Sequence, residues 1–188
     1  MQLFRTESSD RSDKIFARTG QLASAIGLVY VVFTVACAAA YWAGGMDLFD
    51  AANHAMTTVA TGGYSTRDGS IGAFDSDFIE WAAVVFMLTG AIPFVLYIQA
   101  LGGQPEALAR DTQLRWFAGI VLGAWALLTF DLVTTDGAAP TEALRHAAFN
   151  ATAVITGTGY SSADYNDWGP LPVAFFFFLM CVGGCTGS

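Results

Sequence analysis

Four long apolar runs separated by polar connections set the pattern of the chain: about Leu22 to Gly44, Phe78 to Leu101, Leu114 to Val133 and Leu171 to Val182. The first three are long enough for a helix to cross a hydrocarbon core of about 30 Å. Pro93 predicts a kink in the second. A shorter, weakly apolar helix is predicted inside each half of the chain, at Leu48 to Val59 and at Glu142 to Ile155. Neither can span a bilayer at 1.5 Å per residue. Asp47 is placed to cap the first of them. Both run into a Gly-rich stretch, Thr61-Gly62-Gly63-Tyr64-Ser65 or Thr156-Gly157-Thr158-Gly159-Tyr160-Ser161, and then into a polar loop.

The two halves repeat at an offset of 96 residues: Leu48, Ala51, Ala52, Gly63, Tyr64 and Ser65 fall on Leu144, Ala147, Ala148, Gly159, Tyr160 and Ser161. A fixed offset with the same order of elements marks a structural repeat. If each short helix re-enters its own side, Arg5, Arg11, Lys14, Arg18, Arg110 and Arg115 share one side and only Arg67 and Arg145 lie on the other. The positive-inside rule then makes the N-terminal segment cytoplasmic. Each copy crosses an even number of times, so the copies are parallel, unlike inverted-repeat transporters. The expected fold is an all-α polytopic membrane protein with tandem parallel helix–pore loop–helix repeats around a pore. Its expected division is 1-20, a polar N-terminal segment; 21-101, the first unit; 102-113, a connection; and 114-188, the second unit.

Composition agrees with this pattern. Charged residues make up 13% of the 188 positions and hydrophobic ones 54%, against about 25% charged in a typical soluble domain. The net charge of −8 excludes a basic nucleic-acid surface. Met1 to Gly20 lacks the apolar core of a signal peptide. Val182 to Ser188 stops within an apolar span, so the chain is expected to be a piece of a longer protein. Cys37, Cys181 and Cys185 sit in apolar runs and read as small hydrophobes.

Non-helical backbone at membrane depth is tolerated only where it is buried or lines a wet cavity. Glycine lets successive carbonyls turn toward one axis, and rings of carbonyls replace an ion's hydration shell. A short helix aimed inward adds the negative end of its dipole. Ala60, Thr61, Gly62, Gly63 and Tyr64, with Thr156, Gly157, Thr158, Gly159 and Tyr160, are the expected filter, holding potassium at Thr61, Gly62, Gly157 and Thr158. Tyr64 and Tyr160 are expected to pack behind it. Thr57, Thr58, Thr152 and Thr156 either bond to carbonyls there or merely pack. His54 and His146 read as packing or hydrogen-bonding groups more than metal ligands. The acids Asp47, Asp50, Asp68, Asp75, Asp77, Glu80, Asp136, Glu142, Asp164 and Asp167 form either a cation-attracting vestibule or a solvated surface. An enzyme built on His54 or His146 with Ser65 or Ser161 lacks an orienting third group, and both pairs are far apart along the chain. Gly183, Gly184, Cys185, Thr186, Gly187 and Ser188 would break a helix near mid-membrane, as a gate or as close helix packing.

Thr58 to Asp68, Ile155 to Tyr165 and Gly183 to Ser188 together resemble the second pore loop, third pore loop and intramembrane gate of the TrkH/KtrB potassium-uptake proteins, relatives of the plant HKT transporters. The resemblance covers nearly the whole chain. It implies a pore-forming subunit of a potassium uptake system in the cell membrane, four such units per polypeptide and Gly63 and Gly159 as filter glycines. It also implies a homodimer of the full-length protein and a cytosolic nucleotide-binding regulatory subunit. The implied ion is K+, with no covalently bound cofactor. The alternative is an ion-coupled secondary transporter or sodium/potassium co-transporter of the same superfamily.

Overall fold

Asp47 caps the first short helix as its position predicts: the backbone is extended there, and the carboxylate accepts from the Asp50 amide at 2.8 Å. The computed structural model containing it describes residues 3–135 and 137–183, with side chains from residue 20 onward except those of 107 and 166. Eight helices are described: α1 Leu3–Ala43, α2 Leu48–Val59, α3 Asp77–Ala91, α4 Phe94–Leu101, α5 Glu106–Arg110, α6 Thr112–Thr135, α7 Pro140–Ile155 and α8 Pro170–Gly183. Two 3-10 turns, Ser70–Phe74 and Tyr165–Trp168, precede α3 and α8. There is no strand among the described residues.

Within α1, Gly20–Ala43 is long and apolar enough to cross a membrane, as is the whole of α6. The second predicted span is not one kinked helix. It divides into α3 and α4, bent by 85°. Pro93 has no amide to donate and forces Ile92 into extended backbone, φ −77 and ψ 134, which ends α3 outright. The polar connection after α4 contains the short helix α5, which the sequence pattern did not suggest. Pro140 starts α7 at its first turn, where a missing amide costs nothing, two residues ahead of the predicted start.

Two cores form, one around each short helix. Ala51 and Ala55 of α2 pack with Cys37 and Tyr41 of α1 and with Ile79, Ala83 and Met87 of α3. Ala143, Ala147 and Ala151 of α7 pack with Val121, Ala124 and Leu128 of α6 and with Phe176 and Leu179 of α8. Alanines four apart put small side chains along one helix face, where backbones can approach closely. Glycine brings the following helix closer still. A Cβ added at Gly90 of α3 would lie 2.8 Å from the Val59 carbonyl oxygen, and one at Gly183 of α8 would collide with that of Ile155. These two glycines are 93 residues apart, as are the starts of α3 and α8, so the offset loses three residues in the second loop. Phe149, Ala153 and Tyr160 of the second copy enter the core of the first, which interlocks the copies.

Candidate ion pathway

Each short helix ends in a loop that doubles back on it. After α2 the chain reverses through 60–65, and by Thr66 and Arg67 it lies beside Asp50 on the helix's first turn. After α7 it returns the same way, with Ser162 reaching His146 and Asn150. The 96-residue repeat is visible bond by bond. Ala60 N–H donates to Met56 as Thr156 does to Thr152, and Thr61 to Thr58 as Gly157 does to Val154. Gly63 donates to the Thr57 carbonyl as Gly159 does to that of Ala153, at 3.4 and 2.9 Å.

Left-handed residues alternate through both loops: Thr61 (φ 49) and Gly63 (φ 66) in the first, Gly157 (φ 73) and Gly159 (φ 78) in the second. A strand would point successive carbonyls to opposite sides, and this alternation lets them share a side. The β-branched Thr61 occupies a region that favours glycine, which stores backbone strain in the loop. Sequence reading treats Thr61 as an ordinary filter residue. The offset pairing with Gly157 is the signal of its unusual backbone. Donors among the described residues leave the carbonyls of Thr61, Gly62, Gly157 and Thr158 without a hydrogen bond. Thr158 is buried, where a carbonyl is seldom left so unless water or a cation takes it, whereas Gly62 and Gly157 are exposed.

A cavity of about 580 Å³ lies at the ends of both short helices. Ala60 and Thr156, their C-terminal caps, line it together with Thr61, Gly157, Gly159 and Gly183. Two helix C-termini meeting at one cavity place partial negative charge there, which favours a cation. Gly183 closes α8 against the end of α7. The rest of the predicted gate, Gly184, Cys185, Thr186, Gly187 and Ser188, lies outside the described residues.

The tyrosines do not behave alike. Tyr160 is buried at 2% exposure, and its hydroxyl meets Thr57 and Thr58 and reaches the His54 carbonyl at 3.1 Å. Tyr64 is 79% exposed, so the expectation that both tyrosines pack behind the loops fails for it. The reason is geometric. Tyr160 packs against the short helix of the preceding copy, and Tyr64 has no preceding copy among the described residues. The threonines bond as well as pack. Thr57 donates to the Tyr64 carbonyl at 2.9 Å, and Thr58 meets the Tyr41 hydroxyl at 2.8 Å. Thr152 accepts from the Trp125 indole at 3.2 Å, and the Thr156 and Thr158 hydroxyls lie 2.8 Å apart. Tyr160 thus reaches the backbone of the other loop through Thr57. Tyr160→Phe is expected to loosen that loop and cost about 1–3 kcal/mol of stability, because it strands buried polar groups. A thermal-unfolding midpoint equal to wild type would contradict this.

Several acids are not free vestibule charges. Asp50 is buried and held by Arg67 and Thr66, which keeps its carboxyl below the usual carboxylate range: Thr66 contributes most, Arg67 next. Its contribution to stability is present above the ordinary aspartate range and is lost as pH falls through the depressed value. Arg145 of α7 reaches Asp77 at 2.7 Å and the buried Glu80 at 3.2 Å, both on α3. The only two arginines assigned to the outer side are therefore both ion-paired. His54 is buried, with Nδ1 2.7 Å from the Asp50 carbonyl and Nε2 2.9 Å from the Ser65 hydroxyl. Distance along the chain had set His54 and Ser65 apart, but the reversal of the loop brings them together. The Ser65 oxygen also accepts from the Arg67 amide at 3.0 Å, so the pair ties the loop down. No cluster of three metal-ligating side chains occurs among the described residues.

The TrkH model, described as a cation transport protein, matches residues 1–188. The Trk system potassium uptake protein TrkI of Halomonas elongata is 45% identical over 189 residues, which is 100% of this chain and 38% of that protein. The TrkH protein of Escherichia coli K12 is 33% identical over 198 residues, covering 100% of this chain and 40% of its own length. The chain therefore spans about two fifths of these relatives. The crystal structure of the potassium transporter TrkH from Vibrio parahaemolyticus superposes with a TM-score of 0.82 at 31% identity, covering 86% of this chain and 36% of that one.

Proposed function

The chain belongs to the TrkH family of cation transport proteins, and from that premise we propose that it supplies two neighbouring helix–pore loop–helix units of a potassium uptake pore. Residues 21-101 and 114-188 are the two units, and 1-20 and 102-113 are cytoplasmic. The carbonyls of Thr61, Gly62, Gly157 and Thr158 are the ion's ligands, and Gly183 begins a gate below them. No chemical step is needed: selection comes from replacing a hydration shell with carbonyls, at the focus of two helix dipoles.

The observation that carries this reading is the matched left-handed alternation at 61/63 and 157/159, in loops where the carbonyls of Thr61, Gly62, Gly157 and Thr158 accept no hydrogen bond from the described residues and whose helices end at one cavity. The exposed side chains of the first copy support a larger ring of units in the longer protein. Phe49, Met56 and Tyr64 are 69%, 49% and 79% exposed, whereas Tyr160, the counterpart of the last, is buried against the first copy, and Thr152, the counterpart of Met56, is buried beside Trp125 of its own copy. Arg145, at the position of Phe49, is ion-paired to α3. A preceding unit would cover these three as the first copy covers the second. The full-length protein is proposed to lie in the cell membrane as a dimer, working with a cytosolic nucleotide-binding regulatory subunit.

Rubidium-tracer uptake into proteoliposomes holding the full-length protein tests the pore. Uptake competed by potassium and little affected by sodium is the expected result. Equal competition by both ions removes the potassium assignment, and no uptake with the regulatory subunit present removes the pore.

A further inference from the structure

Both copies tie the returning loop to the first two turns of the short helix, at the positions of Asp50 and His54 and, 96 residues on, of His146 and Asn150. In the second copy the hydrogen bonds come from side-chain nitrogens and a hydroxyl. His146 Nδ1 and Asn150 Nδ2 lie 3.2 and 3.1 Å from the Ser162 hydroxyl. In the first copy the tie is an ion pair. Asp50, its side chain only 4% exposed, accepts at Oδ1 from the Thr66 hydroxyl at 2.6 Å. Its Oδ2 accepts from Nε and Nη2 of Arg67 at 3.1 and 2.7 Å. A carboxylate that deep persists only with its oxygens satisfied by charge and hydrogen bonds.

The guanidinium has two further neighbours. Its plane lies over the Phe74 ring, 5.9 Å from the centroid, and Asp47 stands 3.9 Å away. Arg67 remains half exposed on the side to which the loop returns. A lone arginine beside a cation pathway would repel the ions approaching it. Paired with Asp50, it can brace the loop without imposing that field. The second copy has Ala163 and His146 at the matching positions, so this pairing has no equivalent there.

We propose that the Asp50–Arg67 ion pair is a positioning clamp for ion selection, holding the first loop from Gly63 to Thr66 at the width that discriminates potassium from sodium while cancelling the arginine's charge at the mouth. The proposal rests on the pore reading above. Neither residue touches the ion; both act through the backbone between them and the loop carbonyls.

The test compares wild type, Arg67→Lys, Arg67→Gln and the double variant Asp50→Asn/Arg67→Gln, all in the full-length protein. Rubidium uptake is competed by potassium and by sodium and normalised to folded protein. Arg67→Gln is expected to lose roughly tenfold in potassium-over-sodium discrimination, the size of one charged hydrogen-bonded contact. Arg67→Lys keeps the charge but not the two-point grip, and should fall between it and wild type. The double variant should recover uptake rate, since no unpaired charge is left, without recovering discrimination. Discrimination within about twofold of wild type in Arg67→Gln overturns the clamp. So does a loss of uptake that only tracks the amount of folded protein at constant discrimination. A wild-type protein without potassium preference overturns the pore reading itself, and the clamp with it.

Discussion

Gly63→Ser is expected to remove potassium preference almost completely, with a far larger effect than the same change at Gly159. Both glycines have positive φ, 66 and 78, so each serine pays about 1–2 kcal/mol for a left-handed backbone. Their surroundings differ. A Cβ at Gly63 would collide with the Thr158 carbonyl oxygen, whereas one at Gly159 meets no atom within 4 Å among the described residues. Thr158 is itself a proposed ion ligand, so the first substitution pushes on the carbonyl that must face the ion. At about 1.4 kcal/mol per tenfold, backbone strain alone accounts for about a tenfold effect. The collision comes on top of that. Competition of rubidium uptake by sodium and potassium measures both variants. Equal losses at the two positions would show that backbone conformation decides the outcome and that the contact between loops does not.

Arg145→Ala is expected to be strongly destabilising. Its guanidinium is 18% exposed and bridges α7 of the second copy to Asp77 and Glu80 on α3 of the first. Glu80 is 4% exposed, and its Oε2 already lacks a hydrogen-bond partner. Removing the arginine takes away the countercharge of a buried carboxyl, a change that typically costs up to about 3–5 kcal/mol and less where the carboxyl takes up a proton in response. Because the bridge joins the copies, the loss should also loosen their packing. Adding Glu80→Gln to Arg145→Ala should restore much of the stability, since the stranded charge is gone. Thermal unfolding of the purified full-length protein reads both variants. A single variant that unfolds within about a degree of wild type would mean that Glu80 is neutral or solvated without the arginine and that the ion pair contributes little.

How much of this was legible beforehand differs between elements. Helix α2 came out at Leu48–Val59 with Asp47 as its cap, because capping and length are local properties written in neighbouring residues. The break at Pro93 was legible, but not its 85° angle. Proline removes a hydrogen bond locally, whereas the direction taken afterwards depends on what α4 packs against. Asp50 looked like one acid among ten on the outer side. Its burial became apparent only once the loop folded back and brought Arg67 across a gap of 17 residues. The same reversal joined His54 to Ser65 and separated the fates of Tyr64 and Tyr160.

Apolar run lengths, helix caps, glycine positions and the 96-residue repeat depend on residues close together in the chain, so the sequence alone determined the membrane helices, the two short helices and the places where the backbone turns. Tertiary structure alone decided which loop presses on which and which charges are buried in pairs. Those outcomes depend on distances between segments brought together by packing. The same tyrosine in the same motif is buried in one copy and exposed in the other because Tyr160 packs against the first copy and Tyr64 has no such neighbour among the described residues.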